Sequence, residues 1–393
     1  MGVRQPLEGN NAVAEAMRQI NPDVVAAYPI TPSTEIVQTF ARFVADGLVD
    51  TNFVAVESEH SAMSACTAAS VAGGRVMNAT SSQGLALMWE ILYITSSLRA
   101  PVILTVVNRA LSGNINIHCD HSDAMGARDC GWLQIYGENV QEGYDNLIQA
   151  VRIGEALDVR LPVMNCIDGF LVSHSYELLQ VEDDAAVKAF VGPYQPVNPL
   201  LDISKPISVG PLDLWDYYFE HKRGQCDVYP VAQEAILEVG KEFGKTFGRE
   251  YGLMEEFMLE DAEYAVVALG STAGVAKVAV ENLRADGVKA GLLKLRAFRP
   301  FPAAEIAAAL AGKKAVAIFD RAISFGAASG PLFSEVIAGM YTAGLAIPAL
   351  SILYGLGGRE ITPEQIVGVY QELPALATSG QPGNPVQFLG VRE

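Results

Sequence analysis

Short apolar runs alternate along this chain with longer segments in which apolar residues recur every three or four positions. The short runs predict buried β-strands, and the longer segments predict amphipathic helices. Strands that alternate with helices are typical of a parallel sheet with right-handed crossovers, so the predicted fold class is α/β. The predicted strands span residues 24–30, 53–56, 75–80, 101–107 and 161–166 in the first part of the chain, and 264–269, 290–295, 315–319 and 349–354 in the second. The predicted helices span residues 8–21, 34–45, 61–72, 86–98 and 231–247.

A segment of different composition separates the two groups of strands. Prolines and aromatic residues cluster between residues 182 and 230, which indicates an ordered excursion rather than a disordered linker. We therefore predict a first domain over residues 1–230 that ends in this excursion. A helical linker over residues 231–260 and a second α/β domain over residues 261–393 follow it.

Polar residues follow the first two predicted strands at the point where each strand ends. The sequence A-Y-P-I-T-P-S-T begins at residue 27, and V-E-S-E-H-S-A begins at residue 56. Because ligands bind outside the carboxyl ends of parallel strands, Thr31 and Glu59 are predicted to face one crevice. The alternative is a turn followed by a solvated carboxylate, and Glu57 is the nearest rival to Glu59.

The next two strand ends also carry polar residues. T-S-S-Q-G-L at residues 80–85 precedes a predicted helix, whose first backbone N–H groups can hold a ligand. An ordinary loop with a serine cap explains the same pattern. N-R-A at residues 108–110 places Arg109 at the following strand end, where it is either a salt-bridge residue or an anion clamp.

The segment over residues 111–129 is the least regular one in the first half, and long loops in compact domains are often functional. Its potential metal ligands are adjacent in sequence rather than spaced for one face, so we predict no metal site. These residues are His118, Cys119, Asp120, His121 and Asp123. In the second half, G-S-T-A-G at residues 270–274 lacks the G-x-G-x-x-G spacing of a dinucleotide loop, which argues against a nucleotide-dependent dehydrogenase.

Composition excludes several classes of partner. The chain has 393 residues, of which 27 are Lys or Arg and 45 are Asp or Glu, giving a net charge of −18. A chain this acidic is a poor ligand for nucleic acid or for an anionic membrane surface. No apolar run is long enough for a membrane span, and the amino terminus lacks the apolar region of a secretion signal, so we expect a cytoplasmic protein.

The cysteines agree with that location. There are 5 of them, none in C-x-x-C spacing, which fits a reducing compartment without a disulfide framework. This spacing also argues against an iron–sulfur cluster or a structural zinc ion held by this chain alone.

Taken in order, the motifs resemble those of one family. Y-P-I-T-P, E-S-E-H-S-A, T-S-S-Q-G-L, N-R-A and D-H-S-D-x-x-x-x-R-D-x-G-W resemble the α subunit of 2-oxoacid:ferredoxin oxidoreductases, and most of all the pyruvate:ferredoxin oxidoreductases or pyruvate synthases. L-R-A-F-R-P-F-P, D-R-A-I-S-F-G and L-G-G-R-E in the second half are similar to the family's second domain. The resemblance covers essentially the whole chain.

The resemblance implies a thiamine-diphosphate-binding domain of the pyrimidine type, followed by an α/β domain like the carboxyl-terminal domain of transketolase. Thiamine diphosphate would be shared with a β subunit, while Mg²⁺ and the [4Fe–4S] clusters would lie on partner subunits. Coenzyme A would be the co-substrate, and ferredoxin and subunits of the γ and δ types would be further partners in a dimer of heteromers. The absence of a G-D-G metal motif and of cluster cysteines agrees with this division.

The resemblance also assigns roles to residues. Glu59 would hydrogen-bond the pyrimidine N1′ and so promote loss of the thiamine C2 proton, while Thr31 and Arg109 would hold the substrate carboxylate. The residues bordering the cofactor would be Tyr28, Pro29, Ser82, Gln83 and Gly84. The residues of the loop beside the substrate would be Asn116, Ile117, Asp120 and His121.

The implied reaction is the reversible oxidative decarboxylation of pyruvate, with coenzyme A, to acetyl-coenzyme A, CO₂ and reduced ferredoxin in anaerobic metabolism. The segment N-I-N-I-H-C at residues 114–119 departs from the commonest pattern of pyruvate enzymes. Branched-chain or aryl 2-oxoacids, 2-oxoglutarate and oxalate therefore stay open as substrates, and His118 and Cys119 have no assigned role. A non-catalytic scaffold subunit is the alternative from another class.

Overall fold

The computed structural model describes residues 2–381 and 384–392. The elements of the first half are, in chain order, β1 (Val3–Glu8), α1 (Gly9–Ile20), β2 (Val24–Ala27), α2 (Thr34–Ala45), β3 (Asn52–Ala55), α3 (Glu59–Ala72), β4 (Val76–Thr80), α4 (Ser82–Leu87), α5 (Trp89–Ser97), β5 (Ile103–Asn108), α6 (Ser122–Gly126), β6 (Leu133–Tyr136), α7 (Val140–Glu155), β7 (Val163–Asp168), β8 (Tyr176–Val181), α8 (Asp184–Val191) and α9 (Tyr218–Cys226). Those of the second half are α10 (Tyr229–Phe247), β9 (Met254–Phe257), β10 (Tyr264–Leu269), α11 (Thr272–Ala285), β11 (Ala290–Leu295), β12 (Ala297–Arg299), α12 (Ala303–Leu310), β13 (Ala315–Asp320), α13 (Pro331–Thr342), β14 (Ala349–Tyr354), α14 (Pro363–Ser379) and β15 (Val386–Leu389).

The first sheet has seven strands in the order β12–β6–β7–β5–β4–β2–β3. All its pairings are parallel except that of β12 with β6. Strands β4, β5 and β7 are buried at every position, which explains their nearly continuous apolar sequences. Because β2, β3, β4 and β5 run in the same direction, the segments that follow them all leave the sheet at one edge.

The second sheet has six strands in the order β15–β14–β13–β10–β11–β9, and only β9 runs antiparallel to its neighbour. The two sheets share core contacts, since one apolar cluster contains Leu104 and Trp132 together with Val267 and Leu332. Strand β12 also comes from the second half and pairs within the first sheet. The domain boundaries at residues 230 and 261 stay a prediction, and the described contacts run continuously across them.

The expectation of an α/β fold with parallel sheets is confirmed, and several elements match to the residue. The predicted helix over residues 34–45 and the strands over 264–269, 290–295 and 349–354 are observed with those bounds. The predicted helix over residues 86–98 is wrong, because α4 and α5 replace it and break at Met88. The first predicted strand is too long, since β2 ends at Ala27, just before the segment that contains Pro29 and Pro32.

A buried carboxylate joins the two halves at the carboxyl end of β7. Asp168 is fully buried and lies 2.7 Å from Nε2 of His121, while Nη1 of Arg321 donates to it at 3.0 Å. The backbone N–H of Ser271, in the turn after β10, donates to it at 3.1 Å. Burial by itself raises the pKa of a carboxyl, yet His121, Arg321 and Ser271 together hold the pKa of Asp168 well below its usual range.

Replacing Asp168 by asparagine would leave Arg321 buried without its carboxylate. We expect the free energy of unfolding at neutral pH to fall by about 3–5 kcal/mol. Because the native pKa of Asp168 lies below the unfolded value of about 3.9, the loss persists above about pH 5 and shrinks as the pH falls below about 4. Denaturant unfolding of the purified chain at several pH values measures this difference.

Glu263 provides the control, since it pairs with Lys314 on the surface. Glu263→Gln removes a solvent-screened pair, so its effect on the free energy of unfolding is much smaller than that of the buried change. Equal losses in the two variants would contradict a special role for the buried carboxylate.

Candidate active site

Glu59 is the first residue of α3 and the buried carboxylate nearest to the predicted crevice. It is only 7% exposed, and its side chain makes no hydrogen bond or ion pair with any residue that the structure describes. The helix start favours a negative charge there, and Ser58 caps the helix by accepting from the backbone N–H of Ser61. Its sequence rival Glu57 is exposed and accepts a hydrogen bond from the Ser61 hydroxyl, so only Glu59 offers a free carboxylate in a buried setting.

The turn after β4 packs directly on Glu59. A Cβ atom at Gly84 would lie 2.9 Å from Oε1 of Glu59 and would collide with Oγ1 of Thr80, so this position needs a glycine. Within the described part of the chain, Oγ1 of Thr80 is buried and has no hydrogen-bond partner. A free carboxylate and an unsatisfied hydroxyl beside a glycine without a side chain are features expected of a ligand-binding site.

Ser82 begins α4 with a backbone conformation that side chains rarely adopt. Its φ angle is 47°, in the left-handed region, and the residue is fully buried. Its hydroxyl donates to the carbonyl of Ala110 at 2.6 Å, and its backbone N–H donates to Asp123 at 2.9 Å. Strain held by several contacts often marks a functional turn.

Arg109 lies at the end of β5 and is 6% exposed. Its Nη1 donates to the backbone carbonyl of Thr31 at 2.9 Å, and its Nε donates to the carbonyl of Asn116 at 3.0 Å. Burial lowers the pKa of Arg109 from its ordinary value and Asp123 opposes that change, but an arginine keeps its charge at neutral pH. Among the described residues no carboxylate forms a salt bridge with this guanidinium, which favours the anion clamp over the salt-bridge residue.

Gln83 is partly exposed and accepts a hydrogen bond from the hydroxyl of Ser82 at 2.7 Å. The remaining predicted site residues form two groups. Thr31, Tyr28, Pro29 and Ile117 are exposed along the segments that flank Arg109. Asp120 and His121 are buried and bond to the second half of the chain: Asp120 accepts from the backbone N–H of Gly357 at 3.3 Å, and the backbone N–H of His121 donates to the carbonyl of Arg321 at 2.8 Å. Contact of these residues with cofactor or substrate stays a prediction.

Asp123 connects the segment after β4 with the segment after β5, and it has no predicted role in the site. Its Oδ2 accepts from the backbone N–H groups of Ser82 at 2.9 Å and of Arg109 at 3.0 Å, and its Oδ1 accepts from Nδ2 of Asn108 at 2.8 Å. Burial raises the pKa of Asp123 to about 6, although these donors and the N–H of Ala124 lower it. The motif D-H-S-D contains Asp123, but the sequence alone indicates no role for this residue other than a metal ligand.

The cluster of Cys119, His121 and Asp168 offers ligand atoms within 4.8 Å of one another. Arg321 already bonds to Asp168, and burial raises the pKa of the Cys119 thiol well above its ordinary value. A thiol that keeps its proton and a carboxylate already paired with arginine are poor metal ligands, so ion pairing describes this cluster better.

Replacing Asp123 by asparagine would turn an amide group towards backbone N–H donors. We expect the free energy of unfolding to fall by about 2 kcal/mol or more, because hydrogen bonds to a charged acceptor are lost in a buried place. Thermal unfolding of the purified chain measures the effect. Asp129→Asn is the control, since that carboxylate is exposed on the same stretch, and a matching loss there would contradict the assigned role.

Two family models match most of the chain. Residues 15–241 match the family described as "Pyruvate flavodoxin/ferredoxin oxidoreductase, thiamine diP-bdg". Residues 262–366 match "Pyruvate:ferredoxin oxidoreductase core domain II".

Full-length relatives are similar to this chain throughout. The pyruvate synthase subunit PorA of Thermotoga maritima is 52% identical over 391 residues, which cover 99% of this chain and 98% of that protein. PorA of Methanocaldococcus jannaschii is 42% identical over 92% of each chain. The ketoisovalerate oxidoreductase subunit VorA of Pyrococcus abyssi is 38% identical over 98% of this chain and 97% of that protein.

Two solved structures share the fold. The 2-oxoglutarate:ferredoxin oxidoreductase from Magnetococcus marinus, with 2-oxoglutarate, coenzyme A and succinyl-CoA bound, has a TM-score of 0.74 at 22% identity; the match covers 94% of this chain and 65% of that one. A split-gene transketolase, an inactive beta4 tetramer, has a TM-score of 0.53 at 12% identity, covering 96% of this chain and 100% of that one. The expected resemblance is confirmed by the full-length matches, and the chain belongs to the pyruvate flavodoxin/ferredoxin oxidoreductase family.

Proposed function

We propose that this chain is the α subunit of a 2-oxoacid:ferredoxin oxidoreductase that decarboxylates pyruvate oxidatively and transfers the acetyl group to coenzyme A. The observation that carries the proposal is the buried guanidinium of Arg109, which has no carboxylate partner among the described residues. A 2-oxoacid brings the carboxylate that this charge lacks. The PorA relatives, named as pyruvate synthase subunits, support pyruvate as that acid.

The residues around Glu59 fit the pyrimidine end of thiamine diphosphate. Glu59 offers a free carboxyl group, Thr80 an unsatisfied hydroxyl, and Gly84 a surface without a side chain. Thiamine diphosphate, when bound, supplies the electron sink for decarboxylation. Glu59 would hold a proton at the pyrimidine N1′, and burial of this carboxyl would keep water from competing for that hydrogen bond. Ser82, Gln83, Tyr28 and Pro29 would border the same space.

Substrate selection would depend on the segments on either side of Arg109. Thr31 would add a hydroxyl donor beside the guanidinium, and Ile117 would line a small pocket with Asn116. A monocarboxylate matches a single arginine, whereas a dianionic acid would call for a second cation. The VorA relatives are named for ketoisovalerate, so a branched-chain 2-oxoacid is the second candidate.

The rest of the catalytic unit would come from partner subunits. Cys66, Cys119, Cys130 and Cys166 are buried and scattered through the fold, and Cys226 is exposed, an arrangement that suits no cluster within this chain. We therefore assign Mg²⁺, the diphosphate site and the [4Fe–4S] clusters to β, γ and δ-type subunits in a dimer of heteromers that reduces ferredoxin. In the described ranges, no helix is long and apolar enough to cross a membrane. A cytoplasmic location is part of the proposal.

The proposal is tested by coenzyme A-dependent reduction of a low-potential dye, with the native complex purified without oxygen and a panel of 2-oxoacids. We expect pyruvate to be turned over with the highest kcat/KM. Preference for a branched or dianionic acid would keep the reaction type and replace the substrate. No turnover of any acid, with thiamine diphosphate bound and clusters intact, would favour a non-catalytic scaffold subunit.

A second prediction concerns the catalytic carboxyl. Glu59→Gln in the same complex is expected to keep assembly intact and to lower kcat by about a hundredfold or more, because an amide cannot exchange the proton. Glu57→Gln is the matched control two residues away, and its kcat stays within about twofold of the wild type because Glu57 is exposed. Retained turnover in Glu59→Gln would remove this assignment.

A further inference from the structure

We propose that Asn116 is a positioning residue through which the second half of the chain sets the place of the Arg109 guanidinium. The inference rests on the proposed function, because it concerns how Arg109 binds the carboxylate of a 2-oxoacid. It goes further by naming the contact that controls this binding, which joins the loop after β5 to the turn after β14.

Asn116 bonds to both sides at once. Its backbone carbonyl accepts from Nε of Arg109 at 3.0 Å, while its Nδ2 donates to the backbone carbonyl of Gly357 at 3.1 Å. Its Oδ1 accepts from the backbone N–H of His118 at 2.7 Å, which fixes the orientation of the side-chain amide. A shift of the turn at Gly357 would therefore move Asn116, and Asn116 would in turn move the guanidinium of Arg109.

Hydrogen bonds hold the base of the loop and its carboxyl-terminal side, but not its tip. The carbonyl of Cys119 accepts from the backbone N–H of Gly358 at 2.6 Å, and the N–H of His121 donates to the carbonyl of Arg321 at 2.8 Å. Residues 112–115, by contrast, are exposed and make no hydrogen bond within the described part of the chain. The conformation of the loop is thus set by its base, where the backbone N–H of Ala110 donates to the carbonyl of His118 at 3.1 Å, and by the second half of the protein, rather than by its own tip.

The guanidinium has two anchors, which come from different parts of the fold. Thr31, after β2, accepts from Nη1, and Asn116 accepts from Nε, while no described residue accepts from Nη2. An arginine clamps a carboxylate through a planar fork, so its affinity depends on the angle at which the fork is held. With the Asn116 anchor displaced, only the Thr31 carbonyl would hold that angle.

Gly357 allows this contact to be disturbed without changing a residue near the guanidinium. Its φ angle is 60°, and a Cβ atom there would collide with Nδ2 of Asn116; the two next-nearest atoms, at 3.2 and 3.8 Å, belong to the same side chain. Gly344 is the matched control, since its φ angle is 73° but a Cβ atom there meets nothing within 4 Å. Both substitutions to alanine carry the left-handed backbone cost, and only one moves Asn116.

The test uses the native complex carrying Asn116→Ala, Gly357→Ala, both changes together, or Gly344→Ala. We expect KM for pyruvate to rise about tenfold in each of the first two variants, while kcat and KM for coenzyme A stay within about twofold. Both changes break the same contact between Asn116 and Gly357. We therefore expect KM for pyruvate in the double variant to equal that of each single variant, rather than the product of the two increases. Gly344→Ala behaves like the wild type.

An unchanged KM for pyruvate in Asn116→Ala, with the complex intact, would overturn the inference. Multiplied effects in the double variant would also overturn it, because Gly357 would then act by another route. If Gly357→Ala does not assemble, Asn116→Ser replaces it: the shorter side chain cannot reach the carbonyl of Gly357 and adds no charge beside Arg109, so the same rise in KM is expected. A wild-type complex that turns over no 2-oxoacid would instead refute the proposed function, before any variant is compared.

Discussion

The geometry of the candidate site depends on the carboxylate of Asp123. Neighbouring parallel strands are held about 4.8 Å apart by the sheet, but the sheet does not fix the segments that follow them. Asp123 does so by accepting from the backbone N–H of Ser82 after β4 and from that of Arg109 after β5. Asp123 lies at the start of α6, so the two ends of the irregular segment must come close together. At these ends the hydroxyl of Ser122 accepts from the backbone N–H of Leu111 at 3.0 Å.

Two buried carboxylates meet the cost of desolvation in different ways. Asp123 contacts N–H donors and, among the described residues, no charged side-chain group, and burial therefore raises its pKa to about 6. Asp168 is buried as deeply, but Arg321 and His121 bond to it, and its pKa lies below the usual range. The first carboxylate shapes the site within one sheet, and the second joins the two halves of the chain.

The sequence predicted the parts of the molecule that follow from local periodicity. The four inner strands of the second sheet (β10, β11, β13 and β14) were placed correctly because each is a short apolar run between breakers, whereas its two edge strands, β9 and β15, were not predicted. Strand β6 and the pairing of β12 with it were not predicted, since four and three residues carry too little pattern and an antiparallel partner from another domain leaves no local signal. The polar residues at strand ends could be predicted because each directly follows an apolar run. Asp123, by contrast, acquires its role only through contacts with Ser82 and Arg109 in the folded chain.

Arg109 combines a stability cost with a binding function. A buried guanidinium without a carboxylate is unfavourable in the free protein, and two backbone carbonyls offset only part of that cost. A ligand carboxylate would complete the missing half of the pair, so the desolvation of Arg109 is already in place before the ligand arrives. Since one of the two carbonyls belongs to a loop fastened to the second half, the orientation of this charge depends on the packing of the two sheets. The shared apolar cluster and the ion pair of Asp168 with Arg321 hold the two sheets together, and they therefore also help to fix the orientation of the Arg109 guanidinium.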